Sequence, residues 1–284
     1  MELATVSGMS SLPALSEASR LCESTAQVMQ AIAYRDYREP KIADIDEYDR
    51  QHGSGAMPDP LLSAHRLTRF YLVGAGDFVY SLGQLLGLQQ PMVTSPAVLA
   101  RSAAEYASRC AYLSSDDDSA EVRISKMFNL FREGFNDLGV NKPDADPQMV
   151  KLAEGINAWR SAQSFPKTSL PNYTNLVHQL APSIGRREYQ RLSGVTHANA
   201  ITLTGAVISA QQDNAQNVDD GWRYALFASH CGIMSAGMVG VLRGVDITPV
   251  LSCRAAYEHY EIEYNRYLWD LSVERGFTPD EPRP

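Results

Sequence analysis

The stretch Ala97-Val-Leu-Ala-Arg-Ser-Ala-Ala-Glu-Tyr-Ala-Ser-Arg-Cys-Ala-Tyr-Leu113 sets Leu99, Ala103, Tyr106, Cys110 and Leu113 at steps of four, three, four and three. That spacing draws one apolar stripe along an α-helix, whereas a half-buried strand would alternate with period two. The same rhythm recurs on both sides. Leu15, Ala18, Cys22, Val28, Met29 and Ile32 outline a first helix, and residues 61–88 read as a long one bent at Gly74 and Gly76. Asp116 to Ser119 offer N-cap chemistry for a helix running through Phe131. A short helix holds Trp159, and three more are expected at about 195–212, 221–243 and 251–273. The polar segment 36–60, with Pro40, Gly53, Gly55, Pro58 and Pro60, reads as a loop. The fold class is therefore all-α, a bundle of about eight to ten helices in a single domain over 1–275. A candidate subdivision lies near 140–170, and a flexible tail is expected over 276–284.

Composition narrows the function classes. Hydrophobic residues make up 44% and charged residues 20% of 284 positions, with 19 Gly and 15 Pro, which excludes collagen-like and wholly disordered chains. A formal net charge of −8 disfavours non-specific binding to nucleic acid or anionic membrane. One window runs against that field: between 160 and 210, Arg160, Lys167, Arg186, Arg187 and Arg191 face the single acid Glu188. Cys22, Cys110, Cys231 and Cys253 are widely spaced among apolar helical residues, which fits core packing better than zinc or disulfides. The first ten residues lack the basic and apolar regions of a secretory signal, so a cytoplasmic location is expected. The best membrane candidate, 224–242, holds His230 and small polar residues and averages too little hydrophobicity for a lipid-facing span; no membrane partner is expected.

Two seams mark the last helices. Ala228, Gly232, Ala236 and Gly240 recur every four residues, which permits close approach of a second backbone. Cys253, Tyr257, Tyr260, Tyr264, Tyr267 and Leu271 form a heptad-like row that buries aromatic area and leaves hydroxyls in need of partners. Each seam fits an intramolecular core or a surface for a dimer or ligand.

The most suggestive chemistry lies in Arg186-Arg-Glu-Tyr-Gln-Arg-Leu-Ser-Gly-Val-Thr-His197-Ala-Asn199. An imidazole that exchanges protons near neutrality follows a guanidinium that can clamp phosphate, with Tyr189, Ser193 and Asn199 as polar neighbours. On an unbroken helix Arg191 and His197 diverge by about 120°. Convergence therefore requires Gly194 to break or cap the helix. Arg191 followed by His197 resembles the Rx4-6H motif of HEPN domains, although Leu192 stands where active members carry a polar residue. The resemblance implies a helical bundle, a homodimer, and metal-independent RNA cleavage of toxin or defence type. By that resemblance His197 would be the acid/base group and Arg191 the phosphate stabiliser; Ser193 and Tyr189 are expected beside them in the catalytic site, with Arg186, Arg187 and Asn199 contacting the substrate. No cofactor is expected.

Upstream, Arg101, Glu105 and Arg109 form an i, i+4, i+8 ladder, a solvated ion row unless another helix covers it; covered, Glu105 and Arg101 would orient the site. Asp116, Asp117, Asp118 and Glu121 resemble the acidic motif of helical terpene synthases, though capping explains them as well. Glu258, His259, Glu261 and Glu263 surround their helix as an acidic face. The competing reading is a non-catalytic bundle that binds a partner protein or small ligand through the tyrosine seam.

Overall fold

Alanine and glycine set the spacing of the helices. The computed structural model describes residues 13–36, 39–88, 92, 94–212, 214–274 and 276; the tail at 277–284 and the first twelve residues lie outside the described residues. Among the described residues there are eleven α-helices and no strand, against the eight to ten expected. They are α1 (Leu15–Tyr34), α2 (Glu39–His52), α3 (Pro60–Leu86), α4 (Ser95–Leu113), α5 (Ala120–Asp137) and α6 (Pro147–Ser161). After them come α7 (Tyr173–Leu180), α8 (Gly185–Thr196), α9 (Ala200–Gln212), α10 (Asn214–Arg243) and α11 (Thr248–Glu274).

In α4 the expected stripe is buried at Ala103, Cys110 and Leu113, but not at Leu99 and Tyr106, and the buried face extends over a row of alanines. Ala97, Ala100, Ala103, Ala104, Ala107 and Ala111 are buried, while Tyr106 is 37% exposed and Leu99 only partly covered. Side chains this small let α3 and α10 come close, and a close-packed interior rewards that approach. Tyr106 rests instead on Gly74 of α3, where a Cβ would lie 2.6 Å from the ring. α3 passes through Gly74 and Gly76 as one continuous helix.

α10 runs through the middle, packed against α1, α3, α4, α7 and α11. Its small-residue stripe is spent inside the chain: a Cβ on Gly232 would sit 2.7 Å from Met29 Sδ of α1, and one on Gly240 would sit 2.5 Å from Ile247 Cγ2. The segment Val218–Arg243 is, contrary to expectation, long and apolar enough to cross a membrane by length and composition; 72% of its most apolar window is buried inside the fold. Packing against the other helices accounts for that apolarity.

A second core joins α2, α5 and α6 to the ends of α3 and α4, through Ile45, Met57, Leu113, Ile124, Met127 and Trp159. Here the expected loop at 36–60 is corrected, because α2 occupies most of it. Pro40 falls in the first turn, where its missing N–H costs nothing, and Ile45 and Tyr48 give an inward face. α2 also caps α3: the buried Asp49 carboxylate accepts from the N–H groups of Leu61 (2.7 Å) and Leu62 (3.0 Å).

The expected helix at 195–212 is found as α9 from Ala200, and a separate helix, α8, precedes it. α8 stops at Thr196, Ala198 turns in the left-handed region (φ 52°), and Asn199 Oδ1 starts α9 by accepting from the N–H groups of Ile201 (3.1 Å) and Thr202 (3.2 Å).

Gly185 fixes where α8 sits, since a Cβ there would meet the Val177 carbonyl oxygen at 2.5 Å. Gly237 in α10 has only Val250 Cγ1 nearby, at 3.7 Å. Gly185→Ala is expected to lower unfolding free energy by ~1–3 kcal/mol. Gly237→Ala is expected to raise it by ~0.5–1 kcal/mol as a mid-helix glycine is removed. Urea denaturation of the two variants checks the opposite signs.

Candidate functional site

α8 turns different faces to different neighbours, and this disperses the residues singled out in its sequence. Tyr189 is buried and points at α4, where its hydroxyl donates to Glu105 Oε1 (2.7 Å) and accepts from Arg101 (3.3 Å). Burial pushes that phenol above its ordinary pKa, so the hydroxyl stays a donor. Arg101 also pairs with Glu105 at 2.9 Å, and α8 covers the pair. The expected ladder stops there, because Arg109 turns to Glu133 of α5 and lies over the Tyr173 ring at 4.5 Å. Glu105 thus holds Tyr189, and through it α8, against α4.

Ser193 Oγ donates to the Tyr189 carbonyl of its own helix (2.8 Å), and Asn199 is spent on the cap of α9. The hinge expected at Gly194 is absent: α8 is helical through Gly194 to Thr196, and Gly194 instead gives room to Thr202, whose Oγ1 would stand 3.0 Å from a Cβ there. His197 follows the last helical residue and is exposed. Arg191 lies elsewhere, ion-paired to Asp220 of α10, within 3.8 Å of Glu188, and over the Tyr224 ring at 5.7 Å. Arg186 and Arg187 are exposed, Arg186 donating to Asn175 Oδ1 (3.3 Å). Of the expected residues, Arg187 and Arg191 are brought together around one carboxylate, while Tyr189, Ser193, His197 and Asn199 do not join them.

That carboxylate is Glu188, whose side chain is only 8% exposed. Arg223 of α10 donates to both of its oxygens (2.9 and 3.1 Å), Arg187 Nε donates to Oε1 (3.0 Å), and Arg191 approaches Oε2. Three guanidiniums around one acid compensate a desolvation cost of several kcal/mol per ion. They also leave the terminal nitrogens of Arg187 to solvent, its side chain being 74% exposed.

Beside this cluster α8, α10 and α11 enclose a cleft of about 280 Å³. Its apolar surface comes from Ile184, Leu226, Phe227 and Leu268. The polar groups are Arg187, Glu188, Arg223, Glu261 and Asn265, and the rings of Tyr257 and Tyr264 close one wall. Tyr257 donates to Glu261 Oε1 (2.6 Å) and Tyr264 to Asp219 Oδ1 (2.8 Å), so two hydroxyls of the tyrosine seam have fixed partners. Burial is the main reason both phenols and the Asp219 carboxyl are raised above their usual ranges.

Arg223, Phe227, Leu226, Asn265 and Asp219 were not marked by sequence reasoning. Glu188 and Arg223 lie 35 positions apart, and no local pattern links them. Tyr257 and Tyr264 belong to the tyrosine row read from the sequence, but what that row faces was not visible; Leu268 lies outside it, and Glu261, read as part of an acidic face, lines the cleft. Among the described residues no group of three or more His, Cys, Asp or Glu side chains is placed to hold a metal ion. Glu258 pairs with Arg254 (2.8 Å), Glu263 with Arg266 (2.7 Å), and Asp118 with Lys126 (2.6 Å), while Ser119 caps α5. Comparison with protein-family models, with curated proteins and with solved structures finds no match.

His230 lies at the inner end of the tyrosine wall, its ring 5.5 Å from that of Tyr257. Burial pulls its pKa below the ordinary 6.5, against the opposing charge of Glu261 and with that of Arg254. A histidine depressed on folding takes up its proton more readily in the unfolded chain, so its contribution to stability is lost as pH falls below about 6.5. The urea midpoint should therefore drop on acidification more in the wild type than in His230→Gln. Equal drops would remove His230 as the cause.

Proposed function

We propose that the chain is a helical binding module whose cleft between α8, α10 and α11 takes a small amphipathic molecule. The observation that carries this reading is the cleft itself: an apolar, aromatic interior edged by charged groups that are held in place by their own partners. Small-molecule sites are concave and mostly apolar, with a few placed polar groups. At about 280 Å³ this one suits a single ring or a branched chain. The row of tyrosines supplies one wall, and the basic turn of α8 supplies the charged edge.

A ribonuclease reading draws on Arg186 and Arg187 at the start of α8 and His197 just past its end, all three exposed to a polyanion. It is supported less well, because Arg191 is engaged by Asp220 and Glu188 and lies away from His197. On the binding reading, RNA incubated with the protein and chelator stays intact. Cleavage that disappears in His197→Ala would replace the binding reading with the nuclease one.

The direct test is thermal denaturation with a panel of small amphiphiles, for wild type and for Asn265→Trp, which puts an indole into the mouth of the cleft. A compound present at 100 times its Kd stabilises by about 2.7 kcal/mol. That should raise Tm by several degrees in the wild type and not in Asn265→Trp. Equal shifts in the two proteins would place the binding elsewhere and overturn the proposal.

A further inference from the structure

The two charged walls of the cleft stand opposite one another without pairing. Three contacts fix how α10 and α11 lie together: Tyr264 bonds Asp219, the Trp222 and Tyr260 rings are 5.2 Å apart, and the His230 and Tyr257 rings are 5.5 Å apart. Residue numbers rise along one helix as they fall along the other, so Arg223 comes level with 260–261. Arg223 and Glu261 both line the cleft at that height, yet among the described residues they form no ion pair with each other. Each is partly spent elsewhere. Arg223 gives one terminal nitrogen to Glu188, and Glu261 takes the Tyr257 hydroxyl on Oε1, which leaves the rest of the guanidinium and Oε2 for another partner. Arg187 adds terminal nitrogens on the Arg223 side.

We infer that the occupant is a small zwitterion with an apolar side chain, of the α-amino acid class: its carboxylate meets Arg223 and Arg187, its ammonium meets Glu261, and its side chain lies on Phe227 and Leu226. This rests on the binding reading above. Charge balance argues for it. The lining holds two arginines and two glutamates, with Glu188 already committed. An apolar monoanion would satisfy the arginines but cover Glu261 without a cation, and a monocation would do the reverse. Leaving a desolvated charge unpaired is costly. A zwitterion satisfies both walls and leaves the net charge of the site unchanged.

The test uses the full chain and three matched probes in titration calorimetry: L-phenylalanine, 3-phenylpropionate, which lacks the ammonium, and 2-phenylethylamine, which lacks the carboxylate. L-Phenylalanine should bind about tenfold or more tighter than either, the worth of one charge-assisted hydrogen bond. Glu261→Gln should weaken L-phenylalanine about tenfold and leave 3-phenylpropionate unweakened, while Arg187→Gln should weaken those two and spare 2-phenylethylamine. Arg187 is exposed and Glu261 has one uncommitted oxygen, so both variants should keep wild-type circular dichroism. If a singly charged probe equals L-phenylalanine and Asn265→Trp abolishes its binding, the zwitterion inference falls and the cleft stands. If all three probes fail while another amphiphile binds in a manner lost in Asn265→Trp, the same division holds. Should no compound of any charge bind, both proposals fall.

Discussion

A glutamate with 8% side-chain exposure can remain in this fold because three arginines surround it, and the candidate site depends on that arrangement. Glu188 projects from α8, Arg223 from α10, and Arg187 and Arg191 from positions one before and three after the glutamate, so the ionic cluster joins two helices. Removing one member of a buried pair typically costs about 3–5 kcal/mol, because the remaining charge has lost its compensation. The same cluster holds Arg187 and Arg223 beside the cleft. Holding charged groups in place before a ligand arrives lowers the ordering cost that binding would otherwise carry. Arg191 takes the inward position and pairs with Asp220, which leaves Arg187 as the member most open to solvent.

Behind the cluster, the position of the cleft follows from how closely α10 can approach its neighbours. Alanines on α4 and glycines on α10 remove side-chain bulk, and Met29, Thr25 and Ile32 of α1 fill the space. α11 packs on α10 with Tyr257 and Tyr264 buried, and these two rings line the cleft together with Phe227 of α10. Small residues thus meet α1 on one side of α10, while tyrosines line the cleft on another.

Legibility in the sequence follows the range of the forces involved. Helical period is local, so α1, α4, α6 and α11 emerge near their observed bounds. α2 is hidden because Pro40 and a run of charges outweigh the two inward residues, Ile45 and Tyr48. The break at Ala198 is hidden because Gly194, the obvious breaker, lies inside the helix while an alanine takes the left-handed turn. For the site, the arginine-rich turn and the tyrosine row were each visible, but their meeting was not: it depends on contacts such as Glu188 to Arg223 and Tyr264 to Asp219, 35 and 45 positions apart. Arg191 shows the complementary error. A cation next to a histidine in sequence suggests a shared target, and an aspartate 29 positions later is its actual partner.

Most of the helices that α10 packs against precede it in the sequence. α1 and α4 each pack on α3, and all three pack on α10, which begins at Asn214. Until α10 is in place, the faces of α1, α3 and α4 that it covers lack that partner. Such surfaces attract aggregation partners and holding chaperones during translation. Docking of α10 is thus the step that closes the core between α1, α3 and α4.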